Sequence, residues 1–405
     1  MIGSHTDSVY NGGQYDGPVG VVSGLQVAEK LINTNRYNGT IRVAIYACEE
    51  SSRFGNACIG SKFLNGNITE ADFENITVKK ETPDGKQITL GEAIQEAKSY
   101  LAESGLEIQE VDKIFTKEDI DYSLEAHIEQ YDILAKKAQK DKDNDLIGII
   151  TSIGSAVRIQ YDVQGRADHT GSTPMSKRKN AADATAMMGM EIRRLGRKYE
   201  KEGLGRASQV EINTPEHNKS FNQIPHKGNG LIDIRLLGEN TPDKVLEDLH
   251  RIIKKVERRT KTEISVNVVS SGYPVITSEE LNGTIESMCE QEGIKSLRMP
   301  SYAGQDSGYV PAKMKTMIFI PSIGGSHNKD EYTAPEDIER ATKVFTKTCE
   351  NLLERQTLRD RIAVQTPIET PSMPSGENLN RNPKVKVHRK IRLIPINNGI
   401  EQGDK

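Results

Sequence analysis

Apolar and polar positions change period several times along the chain. Helical spacing from Val21 to Leu31 gives way to a strand-like run, Ile41 to Tyr46. Residues 3–64 therefore read as strand, loop, helix, strand, loop, helix, an alternation that predicts an α/β sheet with parallel strands. Residues 70–120 read as a helical insert, with a turn at Thr82 to Lys86 and helical spacing from Leu90 to Leu106. A period of two over Tyr122 to Gln130 predicts a strand ending near His127, and Gly148 to Gly154 reads as a buried strand leaving the first domain. Then the character changes. Strand runs Val157 to Val163, Ile232 to Leu237 and Glu263 to Val269 alternate with helical patterns Asn180 to Lys198 and Thr241 to Arg259. Two helices on one antiparallel sheet make a small α+β layer. After Ser271 the α/β alternation returns, with a helix over Glu279 to Glu292, a buried strand over Met317 to Ser322 and a last helix over Pro335 to Leu353. The expected organisation is an α/β domain from residues 1–156 and 271–355, its mostly parallel sheet flanked by helices, an α+β insert at 157–270, and a poorly ordered tail at 356–405.

Composition narrows the classes of partner. The 405 residues carry a net charge of −4 and 35% apolar residues, with no Trp. That balance argues against nucleic-acid or membrane-surface partners. No apolar run reaches the roughly 20 residues that span a bilayer, and no signal peptide opens the chain. Cys48, Cys58, Cys289 and Cys349 lack Cys-x-x-Cys spacing and read as reduced thiols of a cytoplasmic protein.

The first fifty residues hold the candidate chemistry. Gly3-Ser4-His5-Thr6-Asp7, Asp16 in Gly13-Gln14-Tyr15-Asp16-Gly17, and Cys48-Glu49-Glu50-Ser51-Ser52-Arg53-Phe54 all fall in turns after strands, where ligands of such sheets sit. Imidazole and carboxylate together suit a divalent transition metal. Glu49 and Glu50 are adjacent on a turn and cannot both point one way. One can bind a cation while the other handles a proton.

Together these runs resemble the M20 metallopeptidase superfamily, and more narrowly its hydantoinase/carbamoylase branch of N-carbamoyl-L-amino-acid hydrolases, β-ureidopropionases and allantoate amidohydrolases. The resemblance continues through His127-Ile128-Glu129-Gln130, Gly165-Arg166-Ala167-Asp168-His169-Thr170-Gly171-Ser172-Thr173-Pro174-Met175, Phe221-Asn222-Gln223-Ile224-Pro225 with Asp233-Ile234-Arg235, and Gly324-Gly325-Ser326-His327. It implies that His5, Asp16, Glu50, His127 and His327 hold two divalent cations, with Asp16 bridging. Zn²⁺ is the first expectation and Mn²⁺, Co²⁺ or Ni²⁺ the alternatives. Asp7 would orient His5, Glu49 would carry a proton from the attacking water to the leaving amine, and His169 would stabilise the oxyanion. Gln130, Asn222, Arg235 and Gly325 would hold the substrate, the Arg235 fork binding a carboxylate at two points.

The function implied is hydrolysis of the carbamoyl C–N bond of N-carbamoyl-L-amino acids, a small-molecule ureido or amide reaction, by a homodimer joined through the 157–270 lid domain. The alternatives are an allantoate amidohydrolase, an aminoacylase-like peptidase, and a non-catalytic binding protein. Three positions depart from the pattern: Tyr131 after Gln130, and Tyr302 and Gln305 in Ser301-Tyr302-Ala303-Gly304-Gln305-Asp306-Ser307, where the family carries Gly and His. Only four residues precede His5, and the resemblance places a further strand region before that point.

Overall fold

The computed structural model describes residues 1–34, 37, 39–78, 87–105, 114–141, 146–215 and 220–365, with side chains as far as residue 357. The chain forms two compact units, one of Met1–Ile150, Thr277–Arg298 and Tyr309–Lys405, the other of Thr151–Ile276 and Met299–Gly308.

In chain order the first unit begins with β1 (Ile2–His5), α1 (Pro18–Thr34), β2 (Val43–Tyr46), α2 (Ile59–Leu64), α3 (Leu90–Glu103), β3 (Tyr122–Ile128), α4 (Ile133–Asp141) and β4 (Leu146–Ile153). The second is built on β5 (Ser155–Gln164), α5 (Ala181–Lys201), β6 (Gly205–Asn213), β7 (Lys227–Leu236), α6 (Pro242–Thr260), β8 (Glu263–Ser271) and β9 (Val275–Ile276). The chain closes with α7 (Glu279–Gln291), β10 (Lys295–Ser301), α8 (Asp306–Tyr309), β11 (Met314–Ile320) and α9 (Pro335–Gln365).

The larger sheet runs β10-β4-β11-β3-β1-β2, with β9 added on β4. β2, β1, β3 and β11 are parallel, and their registers set His5 beside Tyr46 and His127 beside Phe319. Their carboxyl ends therefore share one edge, and the loops leaving that edge carry the candidate ligands. β3 is buried from Ser123 to Ile128 because a strand lies on each side and helices cover it. Ile2, Leu124, Ala126, Ile128, Ile318 and Ile320 pack against Val27 and Leu31 of α1 and Phe345 of α9. α1 lies so close that a Cβ on Gly20 would sit 2.0 Å from the Ala126 carbonyl oxygen.

The second unit is the antiparallel sheet β6-β7-β5-β8 under α5 and α6. Asn180 and Thr241 cap the two helices through side-chain oxygens, which is why the sequence pattern starts at those residues. The fold class read from the sequence is the one observed: a mostly parallel α/β sheet flanked by helices, with a separate antiparallel α+β unit.

Three differences have physical causes. β6 is absent from the sequence reading because its run, Gly-Arg-Ala-Ser-Gln-Val-Glu-Ile-Asn, is an exposed edge with little apolar pattern. The last helix continues from the expected Leu353 to Gln365 into the stretch assigned to the tail, since Ala, Leu, Arg and Gln sustain a helix. In the expected helical insert, α3 ends at Glu103, and a single 3-10 turn, Glu70–Asp72, precedes it. The expected turn at residues 82–86 and the remaining tail, 366–405, lie outside the described residues.

Candidate metal centre

Two groups of side chains form on the shared sheet edge. His5, Asp16 and His127 bring one ligand atom each within 4.8 Å of one another, as do Asp16, Glu50 and His327. Asp16 belongs to both. It follows the glycine loop and precedes α1, where Gly17 (φ +85°) is required: a Cβ there would stand 2.5 Å from the His5 ring.

The first group is buried and its atoms face inward. His5 Nδ1 lies 3.0 Å from the Asp7 carbonyl oxygen and His127 Nδ1 lies 2.9 Å from that of Ile128. A carbonyl only accepts, so both Nδ1 atoms carry protons and both Nε2 lone pairs point into the site. Those Nε2 atoms are 3.5 Å apart. Asp16 Oδ1 is 2.8 Å from that of His127 and 3.7 Å from that of His5. Three lone-pair donors converging in a dry place fit a cation. Without one, protons compensate. Burial disfavours the charged ring of His127, but the charge and hydrogen bond of Asp16 outweigh it and raise its pKa to about 9. Burial opposes ionisation of Asp16, and the three histidines overcome that to hold it far below the usual carboxylate range.

The second group is more open. His327 Nε2 lies 2.8 Å from Glu50 Oε1 and 3.4 Å from Asp16 Oδ2. Hydrogen bonds that it donates to Asp16 and Glu50 raise its pKa to about 10, although its side chain is 47% exposed and solvent screens part of that attraction. The Ser326 hydroxyl donates to Asp16 Oδ2. His327 is itself left-handed (φ 62°) after two left-handed glycines.

Glu49 stands beside both groups without joining either. Its Oε2 is 3.9 Å from His5 Nε2, and the Cys58 thiol lies 3.4 Å from its Oε1. Burial is the main reason its pKa rises to about 7, with Glu50 adding to the rise and His5 opposing it. A carboxylate near neutrality beside a cation site is suited to accept and return a proton.

Asp7 does more than expected. Its carboxylate accepts the Glu49 and Glu50 amides at 3.1 and 2.9 Å while its Oδ1 lies 3.7 Å from His5 Nδ1, the nitrogen that the Asp7 backbone carbonyl also holds. Gln130 and Gly325 are neighbours: a Cβ on Gly325 would be 3.8 Å from the Gln130 carbonyl oxygen.

His169, Asn222 and Arg235 belong to the second unit. The His169 and Asn222 loops run side by side, with Thr170 N donating to Asn222 O at 3.0 Å and a bridge between His169 and Gln223. His169 Nδ1 accepts the Gly171 and Ser172 amides at 3.0 and 3.1 Å, so its Nε2 carries the proton and can donate. Arg178 braces this loop through the Thr170 and Thr173 carbonyls. Arg235 Nε donates to Asp233 at 2.6 Å, which fixes the plane of the fork.

Sequence reasoning missed the supporting groups. Ser4 donates to buried Glu125 at 2.7 Å, tying β1 to β3 beside both histidines. Glu in an otherwise apolar buried run, two residues before His127, was the available signal. Glu331 gave none, because its partners lie at the other end of the sequence.

The model of peptidase family M20/M25/M40 matches residues 1–351. An N-carbamoyl-L-amino acid amidohydrolase of Geobacillus stearothermophilus is 27% identical over 86% of this chain and 80% of its own. An allantoate amidohydrolase of Escherichia coli is 29% identical over 85% of this chain and 79% of its own. The crystal structure of a hydantoinase/carbamoylase family amidase from Burkholderia multivorans superposes with a TM-score of 0.69 at 26% identity, covering 87% of this chain and 80% of that one. With the match spanning both units and every candidate ligand, the chain belongs to peptidase family M20/M25/M40.

Proposed function

We propose that this amidohydrolase cleaves the carbamoyl C–N bond of N-carbamoyl-L-amino acids, with His5, Asp16 and His127 holding one divalent cation and Asp16, Glu50 and His327 a second. The observation that carries the reading is the pair of ligand groups sharing Asp16, with Glu49 spare beside them. Mixed nitrogen and oxygen donors suit Zn²⁺ first, then Mn²⁺, Co²⁺ or Ni²⁺. When bound, such ions supply Lewis acidity and make water acidic enough to react near neutral pH.

The residues do the rest. Glu49 takes a proton from the attacking water and passes it to the leaving nitrogen. His169 donates from Nε2 to the oxygen that gains charge, a contact commonly worth about 2.7–4 kcal/mol. Arg235, Asn222 and Gln130 hold the amino-acid end of the substrate, with Gly325 beside Gln130. Asp7 keeps the Glu49–Glu50 turn in place. The chain works as a homodimer through the second unit, whose β6 and β8 expose Val210, Ile212, Val266 and Val269. The four cysteines are not joined in disulfides, which suits a reducing cytoplasm. Among the described residues no helix is long and apolar enough to cross a membrane.

Allantoate is the second reading, favoured by the 29% identity to the Escherichia coli enzyme. Metal-loaded protein assayed for ammonia release from N-carbamoyl-L-amino acids and allantoate, and for acetate release from N-acetyl amino acids, separates the substrates. Turnover of allantoate alone overturns the first reading.

A further inference from the structure

We propose that Glu331 is a positioning residue for the bridging carboxylate, locking the loop of Asp16 to the loop of His327. Its Oε1 accepts the backbone amides of Tyr15 and Asp16 at 2.8 and 3.1 Å. Its side chain is buried, 5% exposed, and it packs directly on the glycine loop: a Cβ on Gly13 would lie 2.2 Å from its Cδ and Oε1. On its own side, Glu331 closes the His327 loop. Its amide donates to Asn328 O at 3.4 Å, and the next residue, Tyr332, pairs with Ile323 through two backbone hydrogen bonds of 2.8 and 3.0 Å. Tyr15 and Tyr332 meet edge to face, with ring centroids 6.0 Å apart.

The consequence lies in where those loops end. Asp16 and His327 face each other at 3.4 Å in the second ligand group, although 310 residues separate Asp16 from Ser326, which donates to it. No strand pairing sets that separation, because both residues sit in loops. Glu331 supplies a rigid connection two hydrogen bonds wide. Among the described residues, Glu331 Oε2 is buried with no hydrogen-bond partner. A carboxylate left half-satisfied in a buried place is a poor device for stability alone, and this one is better explained by what its other oxygen holds. A neutral amide at the same position would keep the acceptor, so the clamp depends on the oxygen rather than the charge.

This inference rests on the two-cation reading and adds to it a group outside the ligand set. The test is Co²⁺ binding to the full chain after chelation, followed by calorimetry and by the visible absorption of the bound ion, with thermal melting of each metal-free variant as a folding control. Wild type should bind two Co²⁺ per chain. E331A should keep one near-normal site and bind the second about 10–100-fold more weakly, the usual range for loss of a group supporting a ligand, with a changed spectrum for that ion. E331Q should restore both affinity and spectrum. G13A, which displaces the carboxylate without removing it, should behave like E331A. Two unaltered sites in E331A overturn the proposal while leaving the two-cation reading intact, and so does an E331Q as weak as E331A. Fewer than two sites in wild type overturn both.

Discussion

Asp16 is shared by both ligand groups, so its substitution should differ in kind from the others. Asp16→Asn should leave dialysed protein with well under one metal per chain. His127→Ala and His327→Ala should each retain about one, and elemental analysis of the three variants tests the assignment. Glu49 carries a second expectation. Its pKa is raised to about 7, and bound dications would lower it from there, so kcat/KM should rise with pH through an acidic limb at or below about 7. Glu49→Gln should lose about 10²–10⁴-fold in kcat and lose the limb as well; a retained limb would assign it to another group. At this scale the sequence is readable where a residue type itself advertises chemistry, as His5, Glu49 and His327 do in their motifs. It is silent where chemistry is conferred by partners. Asp7 reads as a companion of His5 and also holds two amides of another loop, and Glu331 meets its partners only across the fold.

At the scale of elements, ligand placement depends on how closely α1 lies on β3, since Asp16 leads into one and His127 ends the other. Gly20→Ala would drive a methyl to 2.0 Å from the Ala126 carbonyl oxygen. Overpacking of that kind typically costs about 1–3 kcal/mol, so the urea midpoint should fall and metal affinity fall with it. An unchanged midpoint would show that α1 can lift off without consequence. In the second unit, Thr241→Ala removes the oxygen that accepts the Lys244 amide and should destabilise by about 0.5–2 kcal/mol, read as faster amide exchange in α6 with metal content unchanged. Helices with a capping residue and a strong apolar stripe were legible to within a residue or two at their starts. β6 was not, because an exposed edge strand is defined by the neighbour it pairs with rather than by its own pattern.

For the molecule as a whole, the combination of a mostly parallel α/β sheet with a separate antiparallel α+β unit was legible because hydrophobic period and element order change together along the chain. Electrostatic balance was not, since it arises only when distant charges meet. His127 and Asp16 form a buried pair of this kind, and they link metal content to pH. In metal-free protein the folded pKa of His127 is about 9 against an ordinary 6.5. The stability from this proton is fully present below about 6.5 and is lost as pH rises through about 9. His327 contributes with the same sign but is screened by solvent. Asp16, whose pKa is depressed, contributes above about 3.8 and loses that contribution only as pH falls, so the pair is most stabilising between those limits. The His127–Asp16 pair should therefore contribute on the order of 3 kcal/mol less at pH 9 than at pH 6.5, read by urea unfolding of metal-free wild type against metal-free His127→Ala, since the buried Met1 amino group, with its pKa lowered to about 6, gives the whole molecule a slope of opposite sign. In loaded protein a cation replaces the proton, and this slope should vanish. Free metal at 100 times its dissociation constant should add about 2.7 kcal/mol per site, so the gap between chelated and loaded protein should widen as pH rises. A difference between metal-free wild type and His127→Ala that stays flat across this range would mean that Asp16 does not hold a proton on His127, and the argument that a cation takes that proton's place would lose its basis.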